Sequence, residues 1–221
     1  MNKDISNKGV VSVTMRKPWF LLMAGLVLSG CANELENVQK KIDGVEETKA
    51  AMIGSLNAIN QYESDMQADL DASLMDDEEL SALKDGSAVV FENIDNRQEE
   101  VDQLDSQLKD FKKSAEDLKS FDDESLPLSS IQSLLQPMEM MIEQLDTYLP
   151  AYKGQLASEQ ETFEAFGADD ADFNTLFEGF ESLNSTSDSN LDLLAPLAET
   201  NAELDASIQN LEKELTALEE E

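Results

Sequence analysis

Val101-Asp-Gln-Leu104-Asp-Ser-Gln-Leu108-Lys-Asp-Phe111-Lys-Lys-Ser-Ala115-Glu-Asp-Leu118 carries an apolar residue at alternating steps of three and four, with charged or polar residues between. A spacing that averages 3.5 residues keeps one apolar stripe on the same side of an α-helix along its whole length, which is the seam of a coiled coil. Ile94, one heptad earlier, extends the same stripe. An alternating strand pattern cannot be laid on these residues, so the stretch points to an all-α fold.

The rest of the chain repeats the pattern. Upstream, Leu35, Val38, Ile42 and Val45 are followed by Met52, Leu56, Ile59, Met66 and Leu70, with Lys49 and Glu63 interrupting two seam positions. Downstream, Ile131, Leu135, Met138, Ile142, Leu145, Leu149, Tyr152 and Leu156 lead, after Glu159, to Phe163 and Phe166. A fourth region holds Phe173, Phe177, Phe180, Leu191, Leu194, Leu197, Leu204, Ile208, Leu211, Leu215 and Leu218.

The breaks are short. Asp76 and Asp77 before Glu78 and Glu79 put carboxylates in a first turn, and Gly86 isolates a short turn of helix over 75–86. Asp122 to Pro127 forms a second break, with Ser129 or Ser130 as cap, and Gly167 with Asp169 or Asp170 forms a third. The polar run Asn184–Asn190 predicts a split into helices near 170–184 and 190–218, and Pro137, Pro150 and Pro196 predict kinks or local breaks. Ala88–Phe91 is too short for a strand. Short connections make consecutive helices antiparallel, and about 40 residues at 1.5 Å rise give a rod roughly 60 Å long. The expectation is an elongated antiparallel bundle of three to five long coiled-coil-like helices.

Before the first seam lies a different signal. Trp19–Leu28 is a ten-residue apolar run behind Arg16 and Lys17, too short for a permanent span and suited to the core of a signal peptide. It ends in Leu28-Ser29-Gly30-Cys31, which resembles the lipobox of bacterial lipoproteins. That resemblance implies cleavage before Cys31 and acylation of its thiol. The chain then divides into a signal peptide over 1–30, with Met15 as an alternative start, and an acidic bundle over 31–221 anchored at Cys31. Two or three acyl chains, at about 0.8 kcal/mol per buried CH2, hold such a domain on the outer face of the cell membrane without a spanning helix.

Composition narrows the chemistry. The 221 residues include 48 acidic and 15 basic side chains, one cysteine and no histidine, for a formal charge of -33. Without histidine there is no Ser-His-Asp or Cys-His machinery and no histidine-ligated zinc or haem, and one cysteine forms neither an internal disulfide nor a cysteine metal cluster. Loss of residues 1–30 removes Lys3, Lys8, Arg16, Lys17 and Asp4, leaving 11 basic and 47 acidic groups, a net charge of -36. Such a field repels nucleic acid and other polyanions. It binds divalent cations only weakly and diffusely.

Candidate sites are few. Asp170-Ala171-Asp172-Phe173-Asn174 has calcium-loop spacing, but Thr175 stands where the sharp turn needs glycine, so no dedicated metal site is expected and helix capping is the better reading. Tyr148 and Tyr152, four apart beside Pro150, are the candidate ligand patch, with core packing as the alternative for aromatics at seam spacing. Met138, Met140 and Met141 offer either an adaptable surface or core filling, and Lys112, Lys113 and Lys119 read as an ion-pair surface among Asp110, Glu116 and Asp117. No catalytic residue and no cofactor site is expected.

The lipobox followed at once by Glu34-Leu35-Glu36-Asn37-Val38 and long acidic heptads to the C-terminus resembles the YkyA-type cell-wall-binding lipoproteins of Firmicutes, a family named for a proposed role. The resemblance covers the whole chain, with the lipobox its one specific motif. It implies a non-enzymatic spacer or cell-wall-binding module at the membrane to cell-wall interface, with peptidoglycan or an envelope protein as partner. The alternative is a helical partner or chaperone for an envelope or secreted protein. A net of -36 sets direct binding to anionic wall polymers against electrostatic repulsion.

Overall fold

A computed structural model of the chain describes residues 31–75 and 80–220. Leu28, Ser29, Gly30 and the side chain of Cys31 lie outside the described residues, as do Asp76 to Glu79. Among the described residues there are six helices and no strand: α1 (Cys31–Met75), α2 (Ser81–Asp85), α3 (Val89–Lys119), α4 (Leu128–Phe166), α5 (Phe173–Leu194) and α6 (Leu197–Glu219). Ala88–Phe91 belongs to the start of α3.

The helices form a four-column antiparallel bundle in which α5 and α6, end to end, make the fourth column. Side-chain bridges record the register. Between α1 and α3, Lys41 meets Asp117 at 2.5 Å and Asn93 meets Asp69 at 2.7 Å. Between α3 and α4, Lys119 meets Glu139 and Lys112 meets Asp146, each at 2.6 Å. Along α4, Ser130 reaches Glu214 (2.7 Å), Gln144 reaches Thr200 (2.8 Å) and Asn190 reaches Gln155 (2.6 Å), so α6 and α5 continue one antiparallel path. Lys49 of α1, mostly buried at a seam position, closes the ring by pairing with Asp205 of α6. Lys112 and Lys119 therefore do form ion pairs, but with Asp146 and Glu139 of α4 and not with the expected acids of their own helix, of which Asp117 goes to Lys41.

The seams of α1, α3, α4 and α6 bury as the spacing predicts, whereas Phe173, Phe177, Phe180 and Leu191 of α5, expected in the fourth seam, are exposed. Val38, Ile42, Val45, Met52 and Ile59 of α1 meet Val101, Leu104, Leu108, Phe111 and Leu118 of α3 in one continuous core with the seam of α4. The four interleaved apolar faces supply most of the stability, since propensity alone holds long helices only weakly in water.

Several expected boundaries differ. Asn184–Asn190 does not break α5, because Thr186 and Ser189 turn their hydroxyls back onto the carbonyls of Ser182 and Ser185 and so do not compete with the helix. The break comes at Ala195 and Pro196 instead, where proline cannot donate to the ladder. Pro137 and Pro150 lie inside an unbroken α4, which packs against α2, α3, α5 and α6 and is held through both positions. The cap of α5 is Asp172, not Asp169 or Asp170: it accepts from the Thr175 N–H at 2.9 Å in a reciprocal capping box. Asp169 instead pairs with Lys84 of α2 at 2.6 Å. Pro127 starts α4 without a side-chain cap, and Ser130 is drawn off to Glu214. The short turn expected within 75–86 is α2, closed by Gly86 in the left-handed region at φ 78°.

Candidate functional site

The seam of α3 has a gap between Ile94 and Val101, and Arg97 fills it. Its side chain is wholly buried. The guanidinium pairs with Glu159 of α4 through both terminal nitrogens. Its Nε donates to Asn93 Oδ1 at 2.9 Å, one terminal nitrogen donates to the Tyr152 hydroxyl at 3.2 Å, and the other lies 3.9 Å from Met66 Sδ. Asn93 in turn donates to the Tyr62 carbonyl at 2.8 Å and to Asp69. Gln155 donates to Glu159 at 2.7 Å and to Glu63 at 3.3 Å, and its carbonyl accepts from Asn190 of α5. One hydrogen-bonded network therefore crosses all four columns. It lies about 50 Å along α1 from Cys31, at 1.5 Å per residue.

Burial would lower the proton affinity of Arg97, but the Glu159 bond and the neighbouring groups outweigh it and hold the guanidinium above its ordinary value. Burial raises Glu63 above the usual glutamate range, with Tyr152, Arg97 and Gln155 opposing only in part. Tyr148 and Tyr152 are pushed far up, chiefly by burial, so both phenols stay protonated.

Beside the network the bundle opens. Where α1 and α5 face each other they leave a groove of about 210 Å³, whose floor is Arg97, Gln155 and Glu159. Glu63, Met66 and Leu70 line it from α1. Phe180, Leu183 and Asn184 line it from α5. Wider hollows of about 430 and 420 Å³ lie between α4 and α5 and between α3 and α4, but neither has a buried charged floor. Near the groove α5 exposes Phe173 (78 %) and Phe177 (59 %), whose rings stack at 6.3 Å. Phe180 rests on Phe166 at 5.0 Å, an approach that leaves no room for a side chain at Gly179, where a Cβ would sit 2.6 Å from the Phe166 ring.

The expected ligand patch is elsewhere in kind. Tyr148 and Tyr152 are each 1 % exposed and stack on one another at 5.2 Å inside the core, so they form no surface patch and the core alternative describes them. Met138 and Met141 are buried, and Met140 is partly exposed. Tyr152 nevertheless takes part in the network, through its hydroxyl. The seam interruptions at Glu63 and Glu159 were the visible signal of this site. Arg97 gave a weaker one, because a missing apolar residue in a seam reads as a defect until its partner is known.

The polar crossing is satisfied from within. Every N–H direction of Arg97 is engaged, and Glu159 is bound by Arg97 and Gln155. No cluster of three or more metal-ligating side chains occurs among the described residues, and none of the described helices is long and apolar enough to cross a membrane. No curated protein and no solved structure matches the chain. Residues 33–214 match the family model YkyA, described as "putative cell-wall binding lipoprotein". A match over that span of a 221-residue chain, on the helices just described, places the protein in the YkyA family of cell-envelope lipoproteins.

Proposed function

We propose that the protein is a non-enzymatic, lipid-anchored module that holds a binding surface away from the outer face of the cell membrane at the membrane to cell-wall interface. The observation that carries this reading is the asymmetry of the rod along its length. Helix α1 begins at the lipobox cysteine, and its first half belongs to a closed apolar bundle. The groove, the buried polar crossing and the exposed phenylalanines all lie in the far half. Anchored at Cys31, the closed half is the spacer and the open half is presented outward.

Two experiments test it. Cys31→Ala should release the protein from the membrane or leave an unprocessed precursor, and normal cleavage with unchanged membrane retention refutes the anchor. Incubation of residues 31–221 with purified peptidoglycan, with and without calcium, should retain the protein. No retention under either condition shifts the reading to a helical partner for an envelope protein, which the exposed Phe173 and Phe177 favour.

A further inference from the structure

Glu63 is the groove residue with charge to spare. Arg97 cannot receive an anion, because Asn93, Tyr152, Glu159 and Met66 surround its nitrogens. Glu63 is hydrogen-bonded by Gln155 at 3.3 Å and by the Tyr152 hydroxyl, the Arg97 charge acts on it without a bond, and it stands where the groove opens. Arg97 is the one basic side chain lining the groove, against the two carboxylates Glu63 and Glu159, so the lining carries a net negative charge. Its walls, Met66, Leu70, Phe180 and Leu183, are apolar. A volume of about 210 Å³ falls below the roughly 300 Å³ at which drug-sized ligands begin to fit, so the groove takes one side chain and not a sugar chain.

We propose that the α1–α5 groove binds the free primary ammonium group of a cell-wall peptide, with Glu63 as its carboxylate partner and the apolar walls around its alkyl stem. The inference rests on the wall-binding reading and gives it a chemical target. It also answers the difficulty of charge: a chain of net -36 is repelled by anionic polymer but attracted to the amines that polymer carries.

The test uses isotope-labelled residues 31–221, which contain all the described helices, titrated with Nα-acetyl-lysine amide and followed by amide chemical shifts. Shifts should gather at 62–70 and 180–187. Glu63→Gln, which keeps an acceptor for Gln155, should weaken binding about tenfold or more, the loss of one charge-assisted contact, and Asn184→Trp, which fills the mouth from an exposed position, should weaken it by obstruction. Helicity, measured alongside, should stay unchanged, and the melting temperature should not fall, since Glu63→Gln lifts a burial penalty. On peptidoglycan, acetylating the wall amines should abolish retention. Shifts absent from the groove, or unaltered by Glu63→Gln, overturn the proposal. Retention indifferent to acetylation and to Glu63→Gln overturns it while leaving wall binding intact through another face. Lysine-amide binding without wall retention removes the wall as the source of the amine.

Discussion

Helices α5 and α6 lie end to end on the same side of α4, with 22 and 23 residues, and they treat that shared surface differently. Helix α6 buries Leu197, Leu204, Ile208, Leu211 and Leu215 on a regular seam. In α5 the one fully buried residue is Asn190, while Phe173, Phe177 and Leu191 face out. The apolar residues of α5 are as plentiful as those of α6, but polar Ser187 and Asn190 take two of its seam positions while Phe173 and Phe177 face solvent, so the column leans on α4 and leaves α1 partly uncovered. Where α6 stands, the bundle closes by apolar packing. Where α5 stands, it closes by hydrogen bonds around Arg97, and a groove remains.

That difference can be broken most severely at the polar crossing. Glu159→Ala leaves Arg97 buried without its counter-charge and should cost about 3–5 kcal/mol of unfolding free energy in urea titrations, whereas Arg97→Leu with Glu159→Leu together should be close to neutral. A double variant as damaged as the single would mean that the network is needed for more than charge balance. Next in size, Leu204→Ala in α6 should cost about 2–5 kcal/mol through the cavity it leaves. Phe177→Ala in α5 should stay within about 0.5 kcal/mol, as for other exposed positions. Equal costs at the two sites would erase the distinction. Amide hydrogen exchange should likewise find α5 opening before α6, because so little of α5 is buried.

The smallest expected effect is in pH dependence. Glu63, raised by burial, and Glu212, raised by burial and by Glu46 and Asp43, take up protons in the folded chain before the unfolded one does. For such groups the unfolded state holds fewer protons, so their penalty is present above the folded pKa and is relieved as pH falls toward the ordinary glutamate range. Asp117, lowered by its bond to Lys41, and Asp169, lowered by its bond to Lys84, act oppositely and lose their contribution only at more acid pH. Melting temperature should therefore rise modestly from pH 7 to about pH 5 and fall below about pH 4, with Glu63→Gln flattening the rise. A steady decline from pH 7 downward contradicts this balance.

The sequence by itself determined that the described chain is helical, where its main seams run, that neighbouring columns are antiparallel, and that the chemistry lacks histidine. Periodicity carries this information because a helix repeats its surface every few residues, and each seam is local to one segment. It also marked Lys49, Glu63 and Glu159 as interruptions, yet it could not say that Lys49 meets Asp205 or that Glu159 meets an arginine 62 residues earlier. Those pairings depend on which column stands opposite at which register, a long-range property set by packing. For the same reason the phenylalanines of α5 have seam spacing and yet lie exposed, while Tyr148 and Tyr152, candidates for a surface patch, lie inside. A stripe shows which residues share a face. Only the tertiary structure decided whether that face meets another helix, a groove or solvent.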